Sequence, residues 1–428
     1  MSSFYEGFDY KKKISFSGDS SKIRAYFRGD SFDVPLSEEL LSKHILLSGS
    51  IGSGKTNAVN GIVGSAIQSM KSNDVMIIFD TKGDFKRKFY RPGRDMILSS
   101  DSSATVIWNL FREIDIDGSE RIRMNIYELL NGLFHERIRR SNAPFFPMAA
   151  KDILYGIIRY ILSELPKEDC HNKELYQFIE QASINDVIER FDSAYELRGL
   201  NDYLCSDVGN TEQTQGIYAE LRNIANELFI GMFCEKGSFS VRNFVRNKGA
   251  RILFIEYDIS VGSVLAPLYK TIFDLAIKET LSRNHEDGNV YFVIDEFSLL
   301  PNLYHISNGV NFGRSLGAKF IVAIQNCMQV IESYGKENGY SILSAFGTYI
   351  AFRSFDSATI KFIKEHFGTV RRSVLLENPV PDERDVVSLI NGYAVEDWDV
   401  LQLGTGEAII FIPEYTPNPV KFKFKEIK

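Results

Sequence analysis

The segment Gly49-Ser50-Ile51-Gly52-Ser53-Gly54-Lys55-Thr56 fits the pattern G-x-x-x-x-G-K-[ST] without a mismatch. This spacing suits one task. The glycines let successive backbone N–H groups turn inward around the β-phosphate of a nucleotide. Lys55 then reaches the β- and γ-phosphates, and the Thr56 hydroxyl ligates Mg²⁺. All eight residues are therefore expected to bind nucleotide, with Lys55 also acting in catalysis. The alternative is a Gly-rich turn with a surface lysine.

A second set of candidates lies far along the chain. Val290-Tyr291-Phe292-Val293-Ile294 is a β-rich run that ends in Asp295-Glu296. Phosphoryl transfer needs a metal holder and a group that polarises the attacking water, both at a strand end beside the phosphate loop. Asp295 is expected to hold the Mg²⁺ shell and Glu296 to polarise the water. An apolar run ending in two acids is weak by itself, because many strands exit into acidic turns. The phosphate loop gives it weight.

Two further side chains follow. Arg314, in Gly313-Arg314-Ser315-Leu316-Gly317, is expected either to reach a neighbouring copy's γ-phosphate or to form a surface salt bridge. Gln325 ends the run Phe320-Ile321-Val322-Ala323-Ile324. It is expected to sense the γ-phosphate, or else to be an ordinary polar strand end.

These groups need a scaffold. His44-Ile45-Leu46-Leu47-Ser48 reads as a buried strand and 57–70 as a helix, so the phosphates would meet a helix N-terminus. Further strands are expected at 75–80, 252–257, 290–295, 319–325, 348–353 and 408–412. Near-continuous apolar runs of this kind belong in a parallel sheet covered on both faces. Residues 8–34, including Lys13-Ile14-Ser15-Phe16, alternate polar and apolar and read as a small β-ribbon.

Between about 118 and 246 only helical patterns occur. The clearest aligns Ala150, Ile153, Leu154, Ile157, Ile158, Ile161 and Leu162. Ser183 with Asp186 suggests a helix cap. A helix from Thr211 to Leu228 aligns Ile217, Leu221, Ile224 and Leu228. The expected organisation is an N-terminal β segment (1–34), an α/β nucleotide domain in two parts (35–117 and 247–428), and an all-helical insertion (118–246), the alternative being that some of these helices merely flank the sheet.

The chain has 428 residues, 44% of them hydrophobic, with a net charge of −7. That balance argues against a surface coated in positive charge, though local charge in a channel is still allowed. Cys170, Cys205, Cys234 and Cys327 are widely spaced and form no C-x-x-C pair, so they read as reduced core thiols of a cytosolic protein rather than a disulfide framework or a zinc site. No run approaches the ~18 apolar residues that cross a bilayer.

The ordered motifs resemble the ATPase part of type IV secretion coupling proteins of the TraD/TraG type, within the HerA/FtsK superfamily of DNA pumps. The resemblance spans roughly residues 40 to 415 and rests on several segments in order. These are the phosphate loop, Ile78-Phe79-Asp80-Thr81-Lys82-Gly83-Asp84-Phe85, the stretch 91–98, Trp108-Asn109-Leu110-Phe111, Gly237-Ser238-Phe239-Ser240-Val241-Arg242, Asp295-Glu296, Gly313-Arg314 and Gln325. It implies a RecA-like P-loop fold with a mostly parallel sheet, ATP and Mg²⁺ as ligands, and a homo-hexameric ring threading DNA. It also implies that Arg314 is the finger and Gln325 the sensor, and that the insertion faces a relaxosome-type DNA-processing partner.

A pump that tracks any sequence grips phosphates rather than bases. Candidate grips are Lys82, Lys86-Arg87-Lys88, Arg91, Arg94, the cluster Arg137, Arg139 and Arg140, and Arg371-Arg372, although basic residues of this kind more often form a solvated face than a DNA contact. Lys82 stands first because it follows a strand edge. Two other readings stay open. One is a HerA-like ATPase acting with a nuclease in DNA processing or defence against phage. The other is a protein-remodelling or secretion ATPase.

Overall fold

The computed structural model describes residues 3–6, 22–27, 30–35, 38–205, 212–282, 288–376, 386–411 and 419–425. The expected strand residues Lys13–Phe16, helix residue Thr211 and strand residue 412 lie outside them. Among the described residues fourteen strands are formed: β1 Ser3–Glu6, β2 Lys22–Phe27, β3 Asp30–Pro35, β4 Ile45–Ser48, β5 Val75–Asp80, β6 Met96–Leu98, β7 Arg251–Glu256, β8 Val290–Ile294, β9 Ala318–Ile324, β10 Thr348–Phe352, β11 Thr369–Leu376, β12 Val386–Tyr393, β13 Glu407–Phe411 and β14 Val420–Phe424. The chain divides into two compact units, one of Met1–Ile78, Leu281–Asn302 and Ile306–Lys428, the other of Phe79–Thr280 and Leu303–His305.

In the first unit the strands run in the order β3-β2-β14-β13-β10-β4-β9-β8-β5. The strands β10, β4, β9 and β8 are mutually parallel. Every residue of β4, β8, β9 and β10 is buried, as strands covered on both faces must be. The helix Lys55–Ser69 follows β4 and buries Ala58, Val59, Ile62, Val63 and Ala66, one stripe at helical spacing.

One expectation fails here. The apolar run 408–412 reads as one more parallel strand, but β13 lies antiparallel to β10, and β14, β2 and β3 continue antiparallel. Its central Ala408-Ile409-Ile410 is buried on both faces all the same. An apolar run reports burial, and burial is blind to strand direction. A separate antiparallel sheet joins β1, β11 and β12.

The second unit holds the parallel pair β6 and β7 and a set of helices. The helix Phe145–Glu164 buries Ala150, Ile153, Leu154, Ile157, Ile158 and Ile161, with Leu162 half-buried. Ser183 and Asp186 form a reciprocal capping box on Ile184–Ser193. Glu212–Leu228 buries Ile217, Leu221, Ile224 and Leu228.

This unit also brings together two motifs that are distant in sequence. Trp108 bridges Phe239, and the Asn109 amide donates to the carbonyls of Cys170 (2.9 Å) and Gly237 (2.8 Å). Glu113 is fully buried there, which pushes its carboxyl pKa up. It accepts from Trp108 Nε1 (2.9 Å), Ser240 Oγ (2.8 Å) and Val241 N (2.6 Å). Arg242 is sandwiched between Asp117 (2.6 Å) and Glu279 (2.8 Å). These motifs are a polar joint in which Arg242 is ion-paired and the Glu113 carboxyl is hydrogen-bonded, the condition under which a core tolerates such groups.

Candidate nucleotide site

The loop Gly49–Thr56 connects β4 to the helix Lys55–Ser69 and is bolted to three neighbours. Gly49 N donates to Ile324 O at the end of β9 (3.3 Å), and Ser50 N donates to Arg353 O just past β10 (2.8 Å). Phe355 N returns a bond to Ser50 Oγ (3.3 Å). Gly406 N, in the turn before β13, donates to Ser53 O (2.8 Å).

That last turn presses so close that a Cβ on Gly54 would lie 2.8 Å from both Cα and N of Gly406. Gly54 also has φ of +102°, a left-handed conformation that glycine adopts without steric cost. Gly404-Thr405-Gly406 carries no sequence pattern that announces this contact. Only the antiparallel return of β13 places this turn over the loop.

The loop fits a phosphate chain. The Lys55 ammonium folds back onto the carbonyls of Gly49 and Ser50, so a cation already sits within the cradle. The hydroxyl of Ser53 is buried and makes no hydrogen bond among the described residues, so a phosphate oxygen would satisfy it. The first helical turn presents backbone N–H groups that have no intrahelical acceptor, at the positive end of the helix dipole.

The acidic pair lies at the same sheet edge. β4 and β8 flank β9, with Ser48 opposite Ile324 and Ile294 opposite Val322. Adjacent strands are about 4.8 Å apart, so Asp295 and the loop are separated by about 10 Å, with Gln325 between them. Asp295 is 8% exposed, and Glu296 is half-buried. Glu296 Oε2 accepts from Gln325 Nε2 (2.5 Å), and its Oε1 accepts from Ser298 Oγ (2.5 Å). Ser298 was not among the sequence candidates, because a serine two residues past an acid carries no pattern of its own. Thr56 and Asp295 are the groups that could hold Mg²⁺.

Arg314 is not brought to this edge. It lies on the short turn Gly313–Leu316, exposed, before the first residue of β9, whereas Gln325 follows the last. Seven extended residues separate the two ends, about 23 Å at 3.3 Å per residue. Within one chain the guanidinium therefore cannot meet its own phosphate loop.

Most of the candidate DNA grips are already engaged. Lys86 pairs with Glu256 (2.6 Å), Arg87 with Asp84, and Arg94 with Asp95 (2.7 Å). Arg137 pairs with Glu220 (2.5 Å) and Glu227 (2.6 Å), while Arg139 and Arg140 share Glu136. Lys82 and Arg91 are exposed and make no ion pair among the described residues. The Lys82 turn is held by Asp80, which accepts from the amides of Lys82 (3.3 Å) and Lys86 (2.9 Å); burial pushes the Asp80 pKa up. Arg371 is exposed. No helix among the described residues is long and apolar enough to cross a membrane.

Comparison with known proteins gives a consistent result. Residues 31–378 match the family model of the type IV secretion-system coupling protein DNA-binding domain. The coupling protein TraD of Escherichia coli (strain K12) is 21% identical over 393 residues, covering 87% of this chain and 50% of that protein, so the chain spans half the length of this curated relative. Among solved structures, the unbound bacterial conjugative coupling protein TrwBdeltaN70 superposes with a TM-score of 0.75 at 17% identity, over 96% of this chain and 90% of that one. Plasmid coupling protein TrwB in complex with ADP and Mg²⁺ gives 0.74 at 17% identity, over 99% and 95%. VirB4 of Thermoanaerobacter pseudethanolicus gives 0.60 at 11% identity, over 97% and 99%.

Proposed function

Because the chain belongs to the type IV secretion-system coupling protein family, we propose that it is the motor of a homo-hexameric ring that hydrolyses ATP between neighbouring copies and drives DNA through the ring. The observation that carries the shared site is the separation of Arg314 from its own loop by the length of β9, while Glu296 and Gln325 meet at the other end. One chain thus holds both halves of a site but cannot close it alone. A head-to-tail ring supplies each loop with the next copy's Arg314. DNA as the cargo rests on the family.

In this reading the loop amides and Lys55 hold the β- and γ-phosphates. Thr56 and Asp295 would hold Mg²⁺, which would neutralise charge on those phosphates. Glu296 takes a proton from the attacking water as its oxygen bonds to the γ-phosphorus. The β–γ bridging oxygen departs with ADP, and Gln325 and the neighbour's Arg314 stabilise the charge on the transferring group. Lys82 and Arg91 grip DNA phosphates.

The test mixes two inactive proteins. Lys55→Ala and Arg314→Ala should each lose DNA-stimulated ATP hydrolysis. A one-to-one mixture should recover it at about a quarter of the interfaces in randomly assembled cyclic rings, because each recovered site draws its loop from one variant and its arginine from the other. No recovery on mixing, or full activity of Arg314→Ala alone, overturns the shared site. Turnover in assembled rings that ignores DNA overturns the pump.

A further inference from the structure

We propose that Ser298 is a positioning residue for hydrolysis: with Gln325 it clamps the Glu296 carboxylate from both sides, and it keeps that carboxylate aimed when Gln325 turns to the γ-phosphate. The proposal rests on the reading of Glu296 as the proton acceptor for the attacking water.

The geometry is specific to the two oxygens. Ser298 Oγ donates to Oε1 and Gln325 Nε2 to Oε2, each at 2.5 Å. Each donor anchors one oxygen of the carboxylate, and with both in place its plane is fixed as well. Hydrogen bonds to an ionised carboxylate are among the stronger ones a protein makes.

Both donors ride on elements pinned to each other. Ser298 occupies the short turn Phe297–Leu299, and Phe297 is buried and stacked on Tyr334, with ring centroids 5.8 Å apart and planes 9° from parallel. The Tyr334 hydroxyl also donates to Leu300 O (3.3 Å). Tyr334 ends the helix Cys327–Tyr334, whose cap Asn326 directly follows Gln325 and accepts from Gln329 N (2.9 Å). The stack therefore ties the serine's turn to the glutamine's helix, and the spacing of the two donors is set by packing. Such support is what a reacting group needs to stay within a fraction of an ångström of its working position. When the Gln325 amide swings toward a phosphate, Ser298 is the member of the pair that stays on Glu296.

The experiment measures steady-state ATP hydrolysis with DNA for the full chain and for Ser298→Ala, Ser298→Thr and Glu296→Gln, alongside equilibrium binding of a fluorescent ATP analogue. Ser298→Ala should lower kcat about tenfold, with KM and analogue affinity within about twofold of the unaltered protein. Ser298→Thr, which keeps the hydroxyl, should restore most of kcat. Unchanged kcat in Ser298→Ala, or a loss of analogue affinity matching the loss of kcat, or no rescue by threonine, overturns the clamp. Glu296→Gln separates the two layers. If it turns over normally, the role of Glu296 itself is wrong. If it is inactive while Ser298→Ala is normal, only the clamp is wrong.

Discussion

Replacing Gly54 by alanine should damage the loop in a way that replacing Gly52 does not. Both residues have positive φ, +102° and +73° respectively, so either alanine pays the left-handed penalty of about 1–2 kcal/mol. The surroundings differ. A Cβ on Gly52 meets nothing within 4 Å, whereas one on Gly54 lies 2.8 Å from two backbone atoms of Gly406. Backbone cannot swing aside as a side-chain tip can. The Gly406 turn must move, and with it the bond from Gly406 N to Ser53 O. Overpacking of this kind costs about 1–3 kcal/mol, so Gly54→Ala should lose about 2–5 kcal/mol in all against about 1–2 for Gly52→Ala. Urea unfolding of the nucleotide-free proteins reads the difference as a lower midpoint for Gly54→Ala at unchanged slope. A displaced cradle should also weaken binding of an ATP analogue at least tenfold relative to the unaltered protein. Equal midpoints for the two variants would refute the close approach of the turn.

Two further outcomes follow from burial and charge. His44 is 1% exposed and its Nδ1 accepts from Phe320 N (3.2 Å); burial pulls its pKa down from 6.5 to about 4. The unfolded chain therefore takes up the proton first, so this contribution is whole above pH 6.5 and is lost as pH falls toward 4, about 3 kcal/mol in total. His44→Asn, which suits the positive φ of 61° at this position, should flatten urea-unfolding stability across pH 4 to 6.5; an unchanged profile speaks against the assignment. Lys82→Ala should lower DNA affinity and reduce the slope of log K against log salt by about one per lost phosphate contact, and Arg94→Ala, which breaks the pair with Asp95, should leave the slope alone. Identical slopes for Lys82→Ala and the unaltered protein would remove Lys82 from the DNA path.

Much of the molecule was legible because its signals are local. The glycines and lysine of 49–56 dictate a turn of one shape, and the apolar runs at 45–48, 290–294 and 318–324 announce burial within a few residues. The stripes of Phe145–Glu164 and Glu212–Leu228, and the box of Ser183 with Asp186, are likewise written within one or two turns. The direction of β13 was not legible, since an apolar strand reads the same in either direction. Nor was the fate of the basic clusters. Arg137 looks like a solvated cation in the sequence, yet its partners Glu220 and Glu227 lie 83 and 90 residues away.

The chain's own order of residues determined the chemistry on offer: a phosphate cradle, a metal holder and water-activating acid at a strand end, and an arginine and a glutamine on opposite ends of one strand. Tertiary structure alone decided which of these groups touch. It set Ser298 and Gln325 on the two oxygens of Glu296, closed the Gly406 turn over Gly54, and left Lys82 exposed while Lys86 and Arg94 were neutralised. The reason is physical. Local patterns are governed by backbone sterics and by burial over a few residues, whereas a hydrogen bond or ion pair across tens of residues exists only after packing has fixed where both partners stand.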